Sequence, residues 1–216
     1  MSKIAFIFPG QGAQAAGMGK DFYEQSATAR EVFDKASKLL GFSMPELCFE
    51  PNDRLDITEY TQAAMVTTSI AMMKVLEEKG VKPDVAAGLS LGEYCALAAA
   101  GVMSEEDAIK TVRQRGILMQ EAVPVGQGAM AAILALDAAA IEEVTGAMEG
   151  VWIANYNCPG QIVISGEKAA VEEACEKLKA AGAKRAVMLN VSGPFHSGML
   201  ADAGEKLGEV LSQVEL

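Results

Sequence analysis

Histidine is almost missing from this sequence: His196 is the single imidazole among 216 residues. The four cysteines, Cys48, Cys95, Cys158 and Cys175, are scattered and never form a CxxC pair, so the ligand clusters of a metal site are lacking and no bound metal is expected. We expect these thiols to be reduced and structural. Positive charge is scarce, with 18 Lys and Arg against 29 Asp and Glu, a formal net charge of −11 and a pI near 4.6. Such a surface repels phosphate backbones and argues against nucleic acid as a partner. No apolar run approaches the roughly 18 to 20 residues of a membrane span. The opening MSKIAFIFPG breaks at Pro9 and Gly10 before a signal-peptide core could form. A cytoplasmic protein without a membrane role is the expectation.

What is present is hydrophobic patterning over half of the residues, enough to bury a proper core. Lys3 to Phe8 is a short apolar run ending at Pro9-Gly10, a buried parallel strand feeding a glycine loop. Helical spacing follows over about 21–40 and 60–79, and the second stretch is closed by Gly80 with Pro83 beyond. Asp84 to Leu89 is a second strand, an alanine-rich helix runs to Gly101, and Ser104 opens another, although Asp107 stands where a capping box prefers Glu or Gln. After a linker at 123–128 the pattern becomes strand 130–136, helix 138–148, strands 151–155 and 161–165, helix 169–181 and strand 186–191. That β-α-β-β-α-β order is ferredoxin-like. The fold class expected is therefore α/β, a hydrolase-like parallel-sheet domain over 1–124 and 194–216 with an inserted ferredoxin-like α+β subdomain over 125–193.

Gly88-Leu89-Ser90-Leu91-Gly92 matches GxSxG between a strand and a helix, the context that gives the motif meaning. A nucleophile elbow holds its serine in a strained turn, and a Cβ two residues to either side would strike backbone. Ser90 is the candidate nucleophile; a serine N-cap flanked by packing glycines is the alternative. A serine hydroxyl needs a base, and His196 lies on a loop after a strand in Ser192-Gly193-Pro194-Phe195-His196; a merely structural histidine is the alternative. The loop Phe8 to Gln14 (FPGQGAQ) fails both phosphate fingerprints. Main-chain N–H groups of Gln11 and Leu91 would suit an oxyanion hole, and an ordinary strand-helix turn is the alternative.

Four segments together, FPGQGAQ, GLSLGEY, the QRG at 114–116 and VSGPFHSGM from Val191, resemble the malonyl-CoA:acyl-carrier-protein transacylases of fatty-acid and polyketide synthesis. The resemblance spans nearly the whole chain. It implies Ser90 as nucleophile, His196 as general base and acid, and the Gln11 and Leu91 amides as oxyanion hole. It also implies Arg115 as the group pairing with the malonyl carboxylate, for which a guanidinium fork offers two parallel charge-assisted hydrogen bonds. Read without the resemblance, Lys110, Arg113 and Arg115 are first of all a solvated helix face, and only the resemblance reverses that reading. Gln62 in TQAA resembles an acyl-pocket element, and Asn157 in NCPGQ a turn facing the substrate, though Asn-x-Pro-Gly is also plain turn chemistry.

The activity so implied is ping-pong transfer of malonyl from malonyl-CoA to the phosphopantetheine thiol of an acyl carrier protein, with no permanently bound cofactor. Carrier docking on the basic cluster Lys177, Lys179, Lys184 and Arg185 and a solvated helix end are both open there. So are a thioester hydrolase on the same elbow and a non-catalytic carrier- or acyl-CoA-binding fragment. Leu89 replaces a histidine many relatives carry and Ala13 a common serine, with little chemical consequence. The resemblance also implies segments past residue 216, including a glutamine whose carbonyl orients the catalytic histidine. We therefore expect exposed sheet edges, and either an inactive chain or completion by a second chain or a dimer.

Overall fold

The computed structural model describes residues 3–124, 126–191 and 193–215; Val125 of the linker and Ser192 of the histidine loop lie outside them. The chain divides into two compact units, Met1–Ile117 with Leu207–Leu216, and Leu118–Lys206.

In the first unit, strand β1 (Ala5–Phe8) is followed by helices α1 (Lys20–Gln25), α2 (Ala27–Leu40), α3 (Met44–Phe49) and α4 (Thr58–Glu78), then strand β2 (Val85–Gly88), α5 (Gly92–Ala99) and α6 (Glu105–Ala122). The strands pair in parallel, Ala5 opposite Val85 through Phe8 opposite Gly88. Phe6 and Phe8 point into a core with Phe33, Met44, Val66, Ile70 and Val112, while on the other face Ile7 is 78% and Val85 56% exposed. Helix α4 is buried around most of its circumference and forms the centre of the unit.

The helical pattern over 21–40 proves to be two helices. Ser26, at φ −125, ends α1 through its N–H on Phe22 O and starts α2 by accepting the Ala29 N–H on its hydroxyl, so one serine caps in both directions. Helix α3, absent from the sequence expectation, is one and a half turns capped by Ser43, too short to show a period. At α6, Ser104 Oγ accepts from Asp107 N–H (3.0 Å) and donates to Asp107 Oδ2 (2.7 Å). The shorter Asp thus meets the capping hydroxyl itself.

The second unit has β3 (Gly128–Leu134), α7 (Ala138–Gly146), β4 (Val151–Cys158), β5 (Gln161–Glu167), α8 (Lys168–Ala180) and β6 (Arg185–Met188), in the antiparallel sheet order β4-β5-β3-β6. This is the ferredoxin-like arrangement anticipated from the order of elements. Ala131, Ile133, Ile164, Val171 and Leu178 pack the helix-covered face. The opposite face carries Met130 and Val163 under Met119 and Phe195. A last helix, α9 (Ala201–Leu211), follows a short 3-10 turn at Gly198–Leu200. No helix among the described residues is long and apolar enough to cross a membrane.

Candidate active site

Ser90 sits between the end of β2 and the start of α5 with φ 53. Its neighbours show why the motif needs glycine on both sides. A Cβ on Gly88 would lie 2.0 Å from the Gly92 carbonyl, and one on Gly92 would lie 2.4 Å from Phe8 O, so strand and helix touch backbone to backbone across the serine. Among the described residues the non-glycine positions with positive φ are Ser90, Ala135 and His196, two of them the candidate nucleophile and base. Strained backbone of this kind persists where the surroundings over-determine it.

Arg115 reaches this serine from α6. Its Nη2 donates to Ser90 Oγ (2.9 Å) and its Nη1 to Gln62 Oε1 (2.8 Å). Gln62 is 1% and Arg115 9% exposed, which corrects the solvated-face alternative for the arginine. Among the described residues no carboxylate forms an ion pair with Arg115; the Tyr94 ring lies 6.0 Å from its Cζ. Burial pulls the guanidinium below its ordinary value, opposed by Tyr94 and then Glu93. Gly116 brings α6 this close: a Cβ there would stand 2.7 Å from Glu59 Cα. Arg113, by contrast, pairs with Glu59 (2.7 Å) and lies over the Tyr60 ring, and Lys110 is exposed.

The glycine loop stands beside the elbow. Leu89 N–H donates to Phe8 O (3.1 Å), and Gln11 Nε2 donates to Thr58 Oγ1 (3.2 Å) at the start of α4. The elbow's own turn draws on the amides of Gly92, to Leu89 O (2.9 Å), and Glu93, to Ser90 O (3.1 Å), and not on that of Leu91. Sequence reasoning passed over Thr58, Tyr94 and Gly116. The last two lay within quoted motifs, and their roles depend on partners far along the chain.

In the second unit His196, exposed and at φ 57, is held by its neighbours. Phe195 is buried with Met119, Met130 and Val163, and Ser197 Oγ donates to Pro194 O (2.7 Å) while accepting from Met199 N–H (3.3 Å). A Cβ on Gly128 would strike the Pro194 ring at 2.3 Å, so the loop lies flat against the start of β3. Asn157 is exposed at an irregularity in the β4–β5 pairing and donates from Nδ2 to Gln161 Oε1 (3.3 Å) across the Pro159-Gly160 turn. Of the basic cluster, Lys177 and Lys179 pair with Glu173 (2.9 Å) and Glu176 (2.8 Å) on their own helix. Cys48, Cys95 and Cys175 are buried free thiols, whereas Cys158 is exposed on the hairpin.

A serine on a glycine-flanked elbow carries a buried arginine on its hydroxyl, and the chain belongs to the acyl transferase domain family, whose model matches residues 5–215. More narrowly, it is 53% identical over 221 residues to the malonyl CoA-acyl carrier protein transacylase of Bacillus subtilis (strain 168), covering 100% of this chain and 70% of that protein. The crystal structure of the malonyl CoA-acyl carrier protein transacylase from Clostridium perfringens superimposes with a TM-score of 0.95 at 46% identity, covering 100% of this chain and 69% of that one. A type II PKS acyl-carrier protein in complex with its malonyl-transacylase gives a TM-score of 0.95 at 44% identity, covering 99% and 71%.

Proposed function

We propose that this chain transfers a malonyl group from malonyl-CoA to the phosphopantetheine thiol of an acyl carrier protein through a malonyl ester on Ser90. The observation that carries this reading is the buried Arg115 fork, one arm on Ser90 Oγ and the other on Gln62. A cation held there without a carboxylate partner among the described residues suits a substrate that brings its own carboxylate. Malonyl thioesters do so.

In the scheme, Ser90 Oγ attacks the thioester carbonyl as its proton passes to His196. The oxyanion of the tetrahedral intermediate takes hydrogen bonds from the Gln11 and Leu91 main-chain amides, and its collapse expels CoA, whose sulfur takes the proton back from His196. The carrier's thiol then yields its proton to His196 and attacks the malonyl-serine ester, and Ser90 leaves as the restored hydroxyl. Arg115 holds the distal carboxylate through both half-reactions, with Gln62 fixing the plane of the fork, and Asn157 contributes a substrate contact. The chain's own residues, the thioester donor and the carrier's thiol carry every proton and acyl movement, so no resident cofactor enters. A reducing, cytoplasmic compartment fits the thiol chemistry and the four free cysteines.

Intact-mass spectrometry after incubation with malonyl-CoA tests this. We expect a malonyl adduct on Ser90, missing in Ser90→Ala and discharged by holo carrier protein faster than by buffer. No adduct on the wild-type chain would end the reading, and discharge at the same rate with and without carrier would make the protein a hydrolase.

A further inference from the structure

Two glutamines of the glycine loop reach the same short stretch of chain. Gln11 ties to Thr58 through its side chain, and Gln14 Nε2 donates to Asp56 Oδ1 (3.0 Å). The same Gln14 amide turns back with its oxygen, which accepts the Gly12 N–H (2.8 Å). Gly12 lies at φ 109, a conformation that glycine adopts at little cost and other residues do not. The anchor is itself built: Asn52 Oδ1 accepts the N–H groups of Arg54 and Leu55 (3.0 Å each), Ile57 N–H bonds Arg54 O (3.0 Å), and the Leu55 side chain is buried.

We propose that Gln14 and Asp56 form a clamp that positions the Gln11 main-chain amide for the oxyanion. Gln14 touches no reacting atom and is a positioning residue. The inference rests on the assignment of the Gln11 amide as an oxyanion donor. On one side of Gln11 the strand β1 fixes the chain, with Phe8 O bonded to the Leu89 N–H; on the other, Gln14 fixes the peptide joining Gln11 to Gly12. A donor held from both sides is preorganised for charge that appears only in the transition state, so the clamp acts on the rate of acylation and not on substrate affinity. The Asp56 carboxylate strengthens the outer bond, because a charged acceptor draws the amide donor more firmly than a neutral one.

The exchange Gln14→Glu keeps the acceptor for Gly12 but sets a carboxylate against Asp56, and Asp56→Asn supplies the donor that a glutamate at position 14 lacks. In single-turnover acylation of Ser90 by malonyl-CoA, Gln14→Glu should lower the limiting rate on the order of tenfold while the half-saturating concentration changes less than about twofold. The double variant Gln14→Glu/Asp56→Asn should recover most of the loss. Asp56→Ala, which reaches the clamp from its other end, should show the same rate-selective defect if Gln14→Glu does not fold. Independently of activity, Gly12 N–H should exchange with solvent about tenfold faster in Gln14→Ala than in the wild type. Wild-type rates in Gln14→Glu and Asp56→Ala, a defect confined to half-saturation, no recovery in the double variant, or unchanged Gly12 exchange would each overturn the clamp. An amide-to-ester replacement of the Gln11 N–H separates the two levels: if it leaves acylation intact the oxyanion assignment falls, and if it abolishes acylation while the clamp variants stay wild-type, the clamp alone falls.

Discussion

Under the proposed function, a guanidinium buried beside a hydroxyl would act as a selectivity filter because its cost falls unequally on two substrates. In the proposed reaction malonyl-CoA would pair the Arg115 charge, whereas acetyl-CoA would leave it buried against Ser90, Gln62 and the Tyr94 ring with Glu93 acting at longer range. Removing one partner of a buried, hydrogen-bonded charge pair costs about 2 to 5 kcal/mol. Arg115→Ala should therefore slow Ser90 acylation by malonyl-CoA on the order of 10²-fold or more, with acylation by acetyl-CoA unchanged or faster. Parallel single-turnover measurements with the two thioesters check this, and equal losses on both would remove Arg115 from carboxylate recognition. Arg115→Lys should not rescue, since one ammonium cannot hold the fork's two fixed directions toward Ser90 and Gln62.

Buried thiols give a second residue-scale test. Burial pushes Cys48 and Cys95 up to about 12, opposed by hydrogen bonds from Thr68 and Ser69. A thiol that keeps its proton more tightly when folded contributes stability that is fully present below the unfolded value and is lost as pH rises toward the folded one. Unfolding free energy should thus fall between roughly pH 9 and pH 12, by about 1.4 kcal/mol per pH unit for each of the two thiols. Denaturant titrations across that window should flatten in Cys48→Ala. An unchanged slope would assign the alkaline loss to other groups.

Between elements, small residues decide what can meet. The contact between α6 and the first turn of α4 is backbone against backbone at Gly116 and Glu59, and it sets the distance at which Arg115 finds Gln62. Gly116→Ala should push the helices apart and give a protein that folds at reduced stability, by about 1 to 3 kcal/mol. Its malonyl-over-acetyl preference should drop more than its acetyl rate; thermal melts together with the two-substrate assay read both effects, and an unaltered preference would free Arg115 from dependence on this contact. The same contact explains what could be read from the sequence and what could not. GxSxG declares itself because both its constraints lie within two residues of Ser90. The ferredoxin-like order shows because periods of two and of 3.6 alternate along a contiguous stretch. Arg115 looked like any charged helix position, since the partner that buries it stands 53 residues earlier. The break at Ser26 was hidden because α1 and α2 share a continuous helical period while one hydroxyl caps between them.

At the scale of the whole molecule, the two units differ in how the chain builds them. The first is assembled from Met1–Ile117 and Leu207–Leu216, whereas Leu118–Lys206 is continuous. This continuous segment closes its own antiparallel sheet, covers one face with α7 and α8, and buries Ile133, Ile141, Ile164, Val171 and Leu178 completely. Of its three strand pairings β4–β5 joins sequence neighbours, and β3 meets β5 and β6 through crossovers that stay inside the same segment, so every loop it must close is its own. The segment 118–206, produced alone, should therefore fold. We expect a mixed α/β circular dichroism spectrum, a single cooperative thermal transition and no binding of a hydrophobic dye. Within it, Leu178→Ala should lower stability by about 2 to 5 kcal/mol, enough to unfold a segment of this size near physiological temperature. A featureless melt of the wild-type segment would show that the ferredoxin-like unit needs the rest of the chain to hold its shape, and the His196 loop, packed through Phe195 on its open sheet face, would then depend on that support as well.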